Sequence, residues 1–157
     1  MSGGGFAAFR AALEAGRGQI LVRERVADLD TPVGAFLKLT GGAQANAFLL
    51  ESIEGGAARG RYSAIGMAPD LIWRCRNGKA EINRHALSAP HGFVPVAGNA
   101  LESLRATINE CRMAVPAGLP PIAAGLFGYL GYDLVRLIEK LPSTNPDVLG
   151  IPDAVMT

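Results

Sequence analysis

Between residues 45 and 69 the chain reads ANAFLLESIEGGAARGRYSAIGMAP. One apolar run stops at Glu51-Ser52 and a second begins after Arg59-Gly60-Arg61, where a plain turn would have joined them without carboxylate, hydroxyl or guanidinium. Side chains alternate in an extended segment. Leu50 and Ser52 then share one side and Leu49 and Glu51 the other, while Arg61 and Ser63 lie opposite Tyr62. Glu51 and Ser52 can serve one pocket only if the strand breaks there. A break would free backbone groups beside the Ser52 hydroxyl, next to a second strand that opens on a guanidinium. Such a set suits a small zwitterion: Ser52 and Arg61 donate to its carboxylate, and Glu51 or backbone carbonyls accept from its ammonium. The same residues also describe a hairpin whose charges merely decorate a solvated loop. On residue pattern alone both readings stand.

Little else in the chain could do chemistry. His85 and His91 stand six apart in a loop with no cysteine or carboxylate cluster nearby, which reads as surface rather than as a metal site, and no metal ligands are assigned. There is no Gly-x-Ser-x-Gly elbow and no Walker phosphate loop. GLFGYLG carries glycines at 125, 128 and 131, at the wrong spacing for a dinucleotide fingerprint. They are better explained by a strand passing close to neighbouring backbone. No nucleophile, base and oxyanion donor assemble, so no catalytic residue is assigned.

Composition narrows the class. The 157 residues are 49% hydrophobic and 18% charged with a formal net charge of +1, as in a packed globular domain. No basic block is present to neutralise phosphates, so no nucleic-acid partner is expected. No apolar segment approaches the roughly 18 residues that cross a bilayer, and no membrane partner is expected. Cys75 and Cys111 are too few and too far apart for a disulfide framework, which fits a reducing cytoplasm.

The elements that must hold residues 45–69 follow from periodicity and punctuation. Phe6, Phe9 and Leu13 recur at helical spacing before Gly16, a ready C-terminal cap. QILVRERVA alternates Ile20, Val22 and Val26 loosely and predicts a strand. DTPVGAFLKLTGG predicts a short helix capped by Thr31, opened by Pro32 and stopped by Gly41-Gly42, with Val33, Phe36 and Leu37 on one face. Residues 46–52 and 61–67 read as strands. Asn77-Gly78 sits between two strand-like runs and favours a tight type I′ hairpin. Residues 85–98 read as a loop. Asn99 then caps a helix with Leu101, Leu104, Ile108 and Cys111 as its buried stripe. Residues 122–141 read as a glycine-laced strand running into a helix that Asp133 caps and on which Arg136 and Glu139 are placed to pair. Trp73, Phe127 and Tyr129 are expected in the core. Ala154-Val155-Met156 reads as a further strand, close to where the sequence stops, which suggests a piece of a longer protein. Strands joined by turns and helices kept apart from them predict an α+β fold, a largely antiparallel sheet with flanking helices.

Three stretches carry a family resemblance. LLESIEGGAARGRYSAIGMAP resembles the Leu-Leu-Glu-Ser element of anthranilate synthase component I and the Gly-Arg-Tyr-Ser strand after it. DTPVGAFLKL resembles that family's upstream helix, and GLFGYLGYDLVRLIEKLP resembles its Gly-Tyr…Tyr-Asp-x-Val-Arg…Glu-x-Leu-Pro segment. Together they span roughly residues 28–142 in the family's order. The resemblance implies that residues 1–157 form a single N-terminal domain, an incomplete part of a two-layer fold cut before the catalytic chorismate-binding domain. It implies a parent lyase that makes anthranilate and pyruvate from chorismate and glutamine or ammonia in tryptophan biosynthesis. That parent uses Mg2+ held outside this stretch and a glutamine amidotransferase, as subunit or fused domain; a homo-oligomer is possible. It further implies feedback inhibition by L-tryptophan, with Ser52 as the effector-binding serine, Arg61 as the matching basic residue and Glu51 beside them. The stretch itself would catalyse nothing. Two alternatives stand beside this reading: component I of aminodeoxychorismate synthase from the folate pathway, and a free-standing amino-acid-binding module.

Overall fold

The computed structural model describes residues 4–51, 62–113, 115–142 and 146–157. Its most local feature is the hairpin at Asn77-Gly78. Both turn residues have positive φ, +49° and +73°, as a type I′ turn demands. They join β3 (Ile72–Arg76) to β4 (Lys79–Asn83) in antiparallel register from Arg76↔Lys79 to Ile72↔Asn83. Two further strands extend this pair at β3. There β7 (Ala154–Met156) pairs antiparallel with β3, and β6 (Gly128–Leu130) pairs antiparallel with β7. On the other side β4 takes the two-residue β5 (Val94–Pro95), so the sheet order is β5-β4-β3-β7-β6. A separate two-stranded sheet pairs β1 (Phe48–Leu50) with β2 (Ala64–Gly66). The fold is α+β and antiparallel, as the segregated pattern of strands and helices predicts.

Alternation selects the buried layer. Trp73, Cys75, Ala80, Ile82 and Ala154 face α3 (Ala100–Glu110) and join Ala100, Leu104 and Leu134 in one core cluster. Asn99 caps α3, its Oδ1 accepting from Leu101 N–H at 2.8 Å and Glu102 N–H at 3.3 Å. The buried stripe differs from the expected one. Ala100, Leu104 and Thr107 face inward, Leu101 is only partly buried and Ile108 is 43% exposed. The reason is Trp73, whose fully buried indole donates from Nε1 to Ser103 Oγ at 2.9 Å. The small residues Ala100, Ser103 and Thr107 let the helix settle close over that ring.

The helix signals before the first sheet hold. Helix α1 (Gly4–Glu14) closes with Gly16 at φ +69°, Gly16 N–H donating to Leu13 O and Arg17 N–H to Ala12 O. Helix α2 (Pro32–Thr40) is capped by Thr31 Oγ1, which accepts from Gly34 N–H at 3.0 Å, and stops at Gly41. Lys38 of α2 pairs back to Asp30. Their apolar faces are less filled than spacing predicts: Phe6, Leu13, Val33 and Leu37 are exposed, and of these helices' described side chains only Ala12 is buried.

Four expectations are corrected. Residues 20–26 form no strand, and Val26 is 87% exposed. Arg23-Glu24-Arg25 breaks an already loose alternation, and among the described residues no strand lies alongside to supply hydrogen bonds. The loop 85–98 contains β5, which adds an edge to β4. The expected helix after β6 is a 3-10 segment, Tyr132–Leu137, with no side-chain cap. Three residues per turn put Asp133 beside Arg136. Asp133 therefore accepts from Arg136 Nε at 2.8 Å instead of capping, while Arg136 Nη1 also reaches Leu141 O and Pro142 O. The segment ends before Glu139, so Arg136 and Glu139 do not pair. Finally, Trp73 is a core aromatic but Tyr129 is not: its hydroxyl donates to Pro152 O from a half-exposed position on β6.

Two outcomes test this core. Trp73→Ala should lower stability by about 3–5 kcal/mol, read as a shift in the urea unfolding midpoint. Cys75 is fully buried, and burial, followed by the Asp153 carboxylate, raises its thiol above the usual 9.0. Above that value the unfolded thiol ionises while the folded one resists, so folding stability should fall as pH rises past about 9. Part of that fall should vanish in Cys75→Ala, measured by urea titration across the alkaline range.

Candidate functional site

β1 (Phe48–Leu50) directly precedes the polar stretch of the sequence at residues 51–61. Phe48 lies opposite Gly66 across the β1–β2 pair. A Cβ on Gly66 would come within 2.1 Å of the Phe48 ring, so the ring occupies the space that any larger residue there would fill. Beyond it Phe48 stacks on Phe127, with centroids 5.0 Å apart and planes at 29°. Phe127 is held just before β6 by Thr157, through Phe127 N–H to Thr157 O at 2.9 Å and Thr157 N–H to Phe127 O at 2.8 Å. One aromatic pair thus bridges the small sheet and the large one.

A cleft lies on each side of this bridge. One, of about 380 Å³, is lined by β2 with Met67, Pro69 and Ile122. The other, of about 420 Å³, runs between Leu50 on β1 and Gly128, Tyr129 and Val155 of the large sheet. Asn46, Phe48, Phe127 and Thr157 line both. The volumes suit a small organic ligand, and the walls are mostly apolar with a few polar groups at the edges. A third cleft of about 340 Å³ lies under the C-terminal end of α3, among Leu104, Ile108, Cys111 and Leu126. Its one reactive group is poorly suited to chemistry. Burial, then Glu110 and Asp70, raises the Cys111 thiol against the opposing pull of Arg84, which keeps it a protonated, weak nucleophile.

The β1–β2 pairing, among the described residues, ends at Leu50↔Ala64. Glu51 follows β1 and Ser63 precedes β2, both outside the strands and both exposed. β1 is thus shorter than the strand expected over residues 46–52 and ends before Glu51. Phe48 and Leu50 line the larger cleft and Leu49 does not, as alternation dictates. Tyr62 is half-exposed. Ser52 and Arg61, the other expected effector contacts, lie outside the described residues. His85 and His91 are exposed. Among the described residues no three His, Cys, Asp or Glu side chains converge in a way that would hold a metal ion.

Residue pattern had not singled out the Phe48–Gly66–Phe127 bridge. The available signal was a glycine opposite an aromatic in two paired apolar runs, which becomes readable only once the register is known. Two of the three glycines of GLFGYLG do what a close backbone approach requires, while a Cβ on Gly125 would meet nothing within 4 Å. A Cβ on Gly128 would sit 1.8 Å from Val155 O, and one on Gly131 would sit 2.8 Å from Asp153 O.

Comparison with known proteins places this geometry in a family. No family model matches the chain. The curated anthranilate synthase component 1 of Cereibacter sphaeroides is 54% identical over 151 residues, covering 96% of this chain. This chain belongs to the anthranilate synthase component 1 family. The enzyme of the same name from Mycolicibacterium smegmatis is 38% identical over 94% of the chain, and that of Thermus thermophilus 38% over 82%. The chain spans only 30%, 27% and 25% of the length of these three anthranilate synthase components.

The bridge between the sheets can be weighed directly. A double-mutant cycle of Phe48→Leu and Phe127→Leu should return a coupling of about 0.5–1.5 kcal/mol from urea unfolding, beyond the two single effects.

Proposed function

We propose that this chain is the N-terminal, regulatory portion of an anthranilate synthase component 1, and that it takes part in feedback inhibition by L-tryptophan. The parent enzyme is a cytoplasmic lyase that converts chorismate, with ammonia from a glutamine amidotransferase subunit or fused domain, to anthranilate and pyruvate. The observation that carries this reading is the 54% identity across nearly the whole chain. It is joined by an apolar cleft beside the Leu-Leu-Glu-Ser element. The Mg2+ of the reaction is expected to be held by the rest of the parent enzyme. In this reading the portion regulates, and catalysis belongs to the rest of the parent enzyme.

The proposed recognition divides the amino acid in two. Its charged end meets the polar break: Ser52 and Arg61 donate to the carboxylate, and Glu51 accepts from the ammonium. Its indole enters the apolar cleft along Phe48 and Leu50, where stacking and burial reward an aromatic ring. Tryptophan then inhibits by binding one arrangement of the enzyme more tightly than the other.

The test uses a chimera in which this chain replaces the matching 151 residues of the Cereibacter sphaeroides relative. A lost hydrogen bond to a charged group costs about 1.5–3 kcal/mol, so Ser52→Ala should weaken inhibition by L-tryptophan roughly tenfold to a hundredfold. Superimposable inhibition curves for chimera and variant would remove Ser52 from the site.

A further inference from the structure

An indole that enters the larger cleft brings a ring N–H with it. Burying that group without an acceptor costs free energy, and a phenyl ring has no such group to satisfy. The acceptor therefore decides whether the cleft selects tryptophan among aromatic amino acids. Among the described residues, the polar side chains that line the larger cleft are Asn46, Tyr129 and Thr157. Two of them are engaged elsewhere. Tyr129 donates from its hydroxyl to Pro152 O at 2.9 Å, and Thr157 Oγ1 donates to Phe127 O at 3.2 Å. The Asn46 carboxamide has no hydrogen-bond partner among the described residues, and it is exposed, within reach of an entering ligand.

Its place follows from the path of the chain. Helix α2 stops at Gly41, and the segment after it turns at Ala45-Asn46 before entering β1. Asn46 takes φ +57° in that turn, in the left-handed region that asparagine tolerates better than most side chains. Glycine would satisfy the same backbone, as Gly41 and Gly42 do just upstream. What asparagine adds is a short amide two positions before Phe48, with an oxygen that accepts and a nitrogen that donates. That amide stands where the two clefts meet, since Asn46 lines both.

We infer that Asn46 sets the specificity of the cleft for an indole side chain, its Oδ1 accepting from the ring N–H. The inference rests on the proposed tryptophan site and adds the group that tells tryptophan from phenylalanine there. Phe48 and Leu50 reward any apolar ring of suitable size. Asn46 rewards one that carries a donor. A site built to hydrogen-bond a ligand N–H rejects the analogue lacking it, because the polar group of the site is left unpaired beneath the ligand.

The test compares inhibition of the chimera described above by L-tryptophan and by benzothienyl-L-alanine, in which sulfur replaces the ring N–H. The charged ends of the two ligands are identical, so a change in the ratio of their inhibition constants on substitution reports the ring N–H. Asn46→Gly keeps the left-handed backbone and removes the amide. The ratio should shift about 3- to 10-fold towards the benzothienyl ligand. Asn46→Asp keeps an oxygen acceptor at the same reach, and the preference for tryptophan should persist. An unchanged ratio in Asn46→Gly overturns the inference and leaves the tryptophan site standing, because Ser52→Ala tests that site through the charged end. Loss of the preference in Asn46→Asp as large as in Asn46→Gly overturns it as well. A chimera that neither ligand inhibits overturns both the site and the inference built on it.

Discussion

Ala154-Val155-Met156 is hydrogen-bonded along both edges, and the large sheet depends on it. β6 reaches the β3–β4 hairpin only through β7. The pairing joins segments far apart in sequence, as in the contact of Cys75 with Asp153, 78 residues away. Such closure costs chain entropy before any contact returns it, so the contacts must be close when they form. Small residues make them close. Ala154 is fully buried, and β6 can approach β7 only because position 128 lacks a Cβ. Asp153 adds a polar tie at the end of β7: its amide donates to Cys75 O, and its carboxylate accepts from Gly78 N–H in the hairpin turn.

With that sheet in place, the rest of the core has little freedom. Trp73 fills the layer between sheet and α3, and its indole N–H fixes the rotation of α3 by bonding Ser103. The opposite side of β3 is closed by a polar device. Arg74 pairs with Glu81 across the strands at 2.7 Å and lies 3.5 Å over the Phe93 ring. An exposed ion pair alone contributes little, but stacking the guanidinium on a ring while a carboxylate holds it in plane secures the loop before β5. The small β1–β2 sheet lies outside this scheme. It joins the large sheet through Phe48 on Phe127.

What could be read from sequence was what local physics decides. Asn77-Gly78, Thr31-Pro32, Gly16 and Asn99 each determine their turn or cap within a few residues, and each did. The glycines at 128 and 131 were legible as a close approach because no other property of that residue suits a strand. Failures arose where a distant partner had the deciding vote. Residues 20–26 have tolerable strand composition but no neighbouring strand among the described residues, and hydrogen bonds rather than propensity make a strand. The stripe on α3 follows the shape of Trp73, which no window around residue 104 contains. Asp133 and Arg136 found each other because the segment tightened to a 3-10 turn and ended before Glu139. For the candidate site, the pairing of the two apolar runs was legible from residue type, whereas the Phe48–Phe127 bridge needed the register of two sheets.

The way β1–β2 is attached bears on the proposed regulation. An isolated two-stranded sheet is marginal in water, so its position depends on what it packs against. Here that is α2 on one hand and the Phe48–Phe127 stack on the other, the stack being an interaction of about 0.5–1.5 kcal/mol beyond its area burial. A ligand present at a hundred times its dissociation constant stabilises the form that binds it by about 2.7 kcal/mol. The two magnitudes are comparable, so an amino acid in the cleft could decide where the small sheet sits. The same ligand acting on the Trp73 layer would face core contacts several times larger and move nothing. Glu51 follows β1 directly, and any shift of that strand is delivered first to the polar break beside it. A regulatory site is better placed at this loosely tied junction than anywhere in the core.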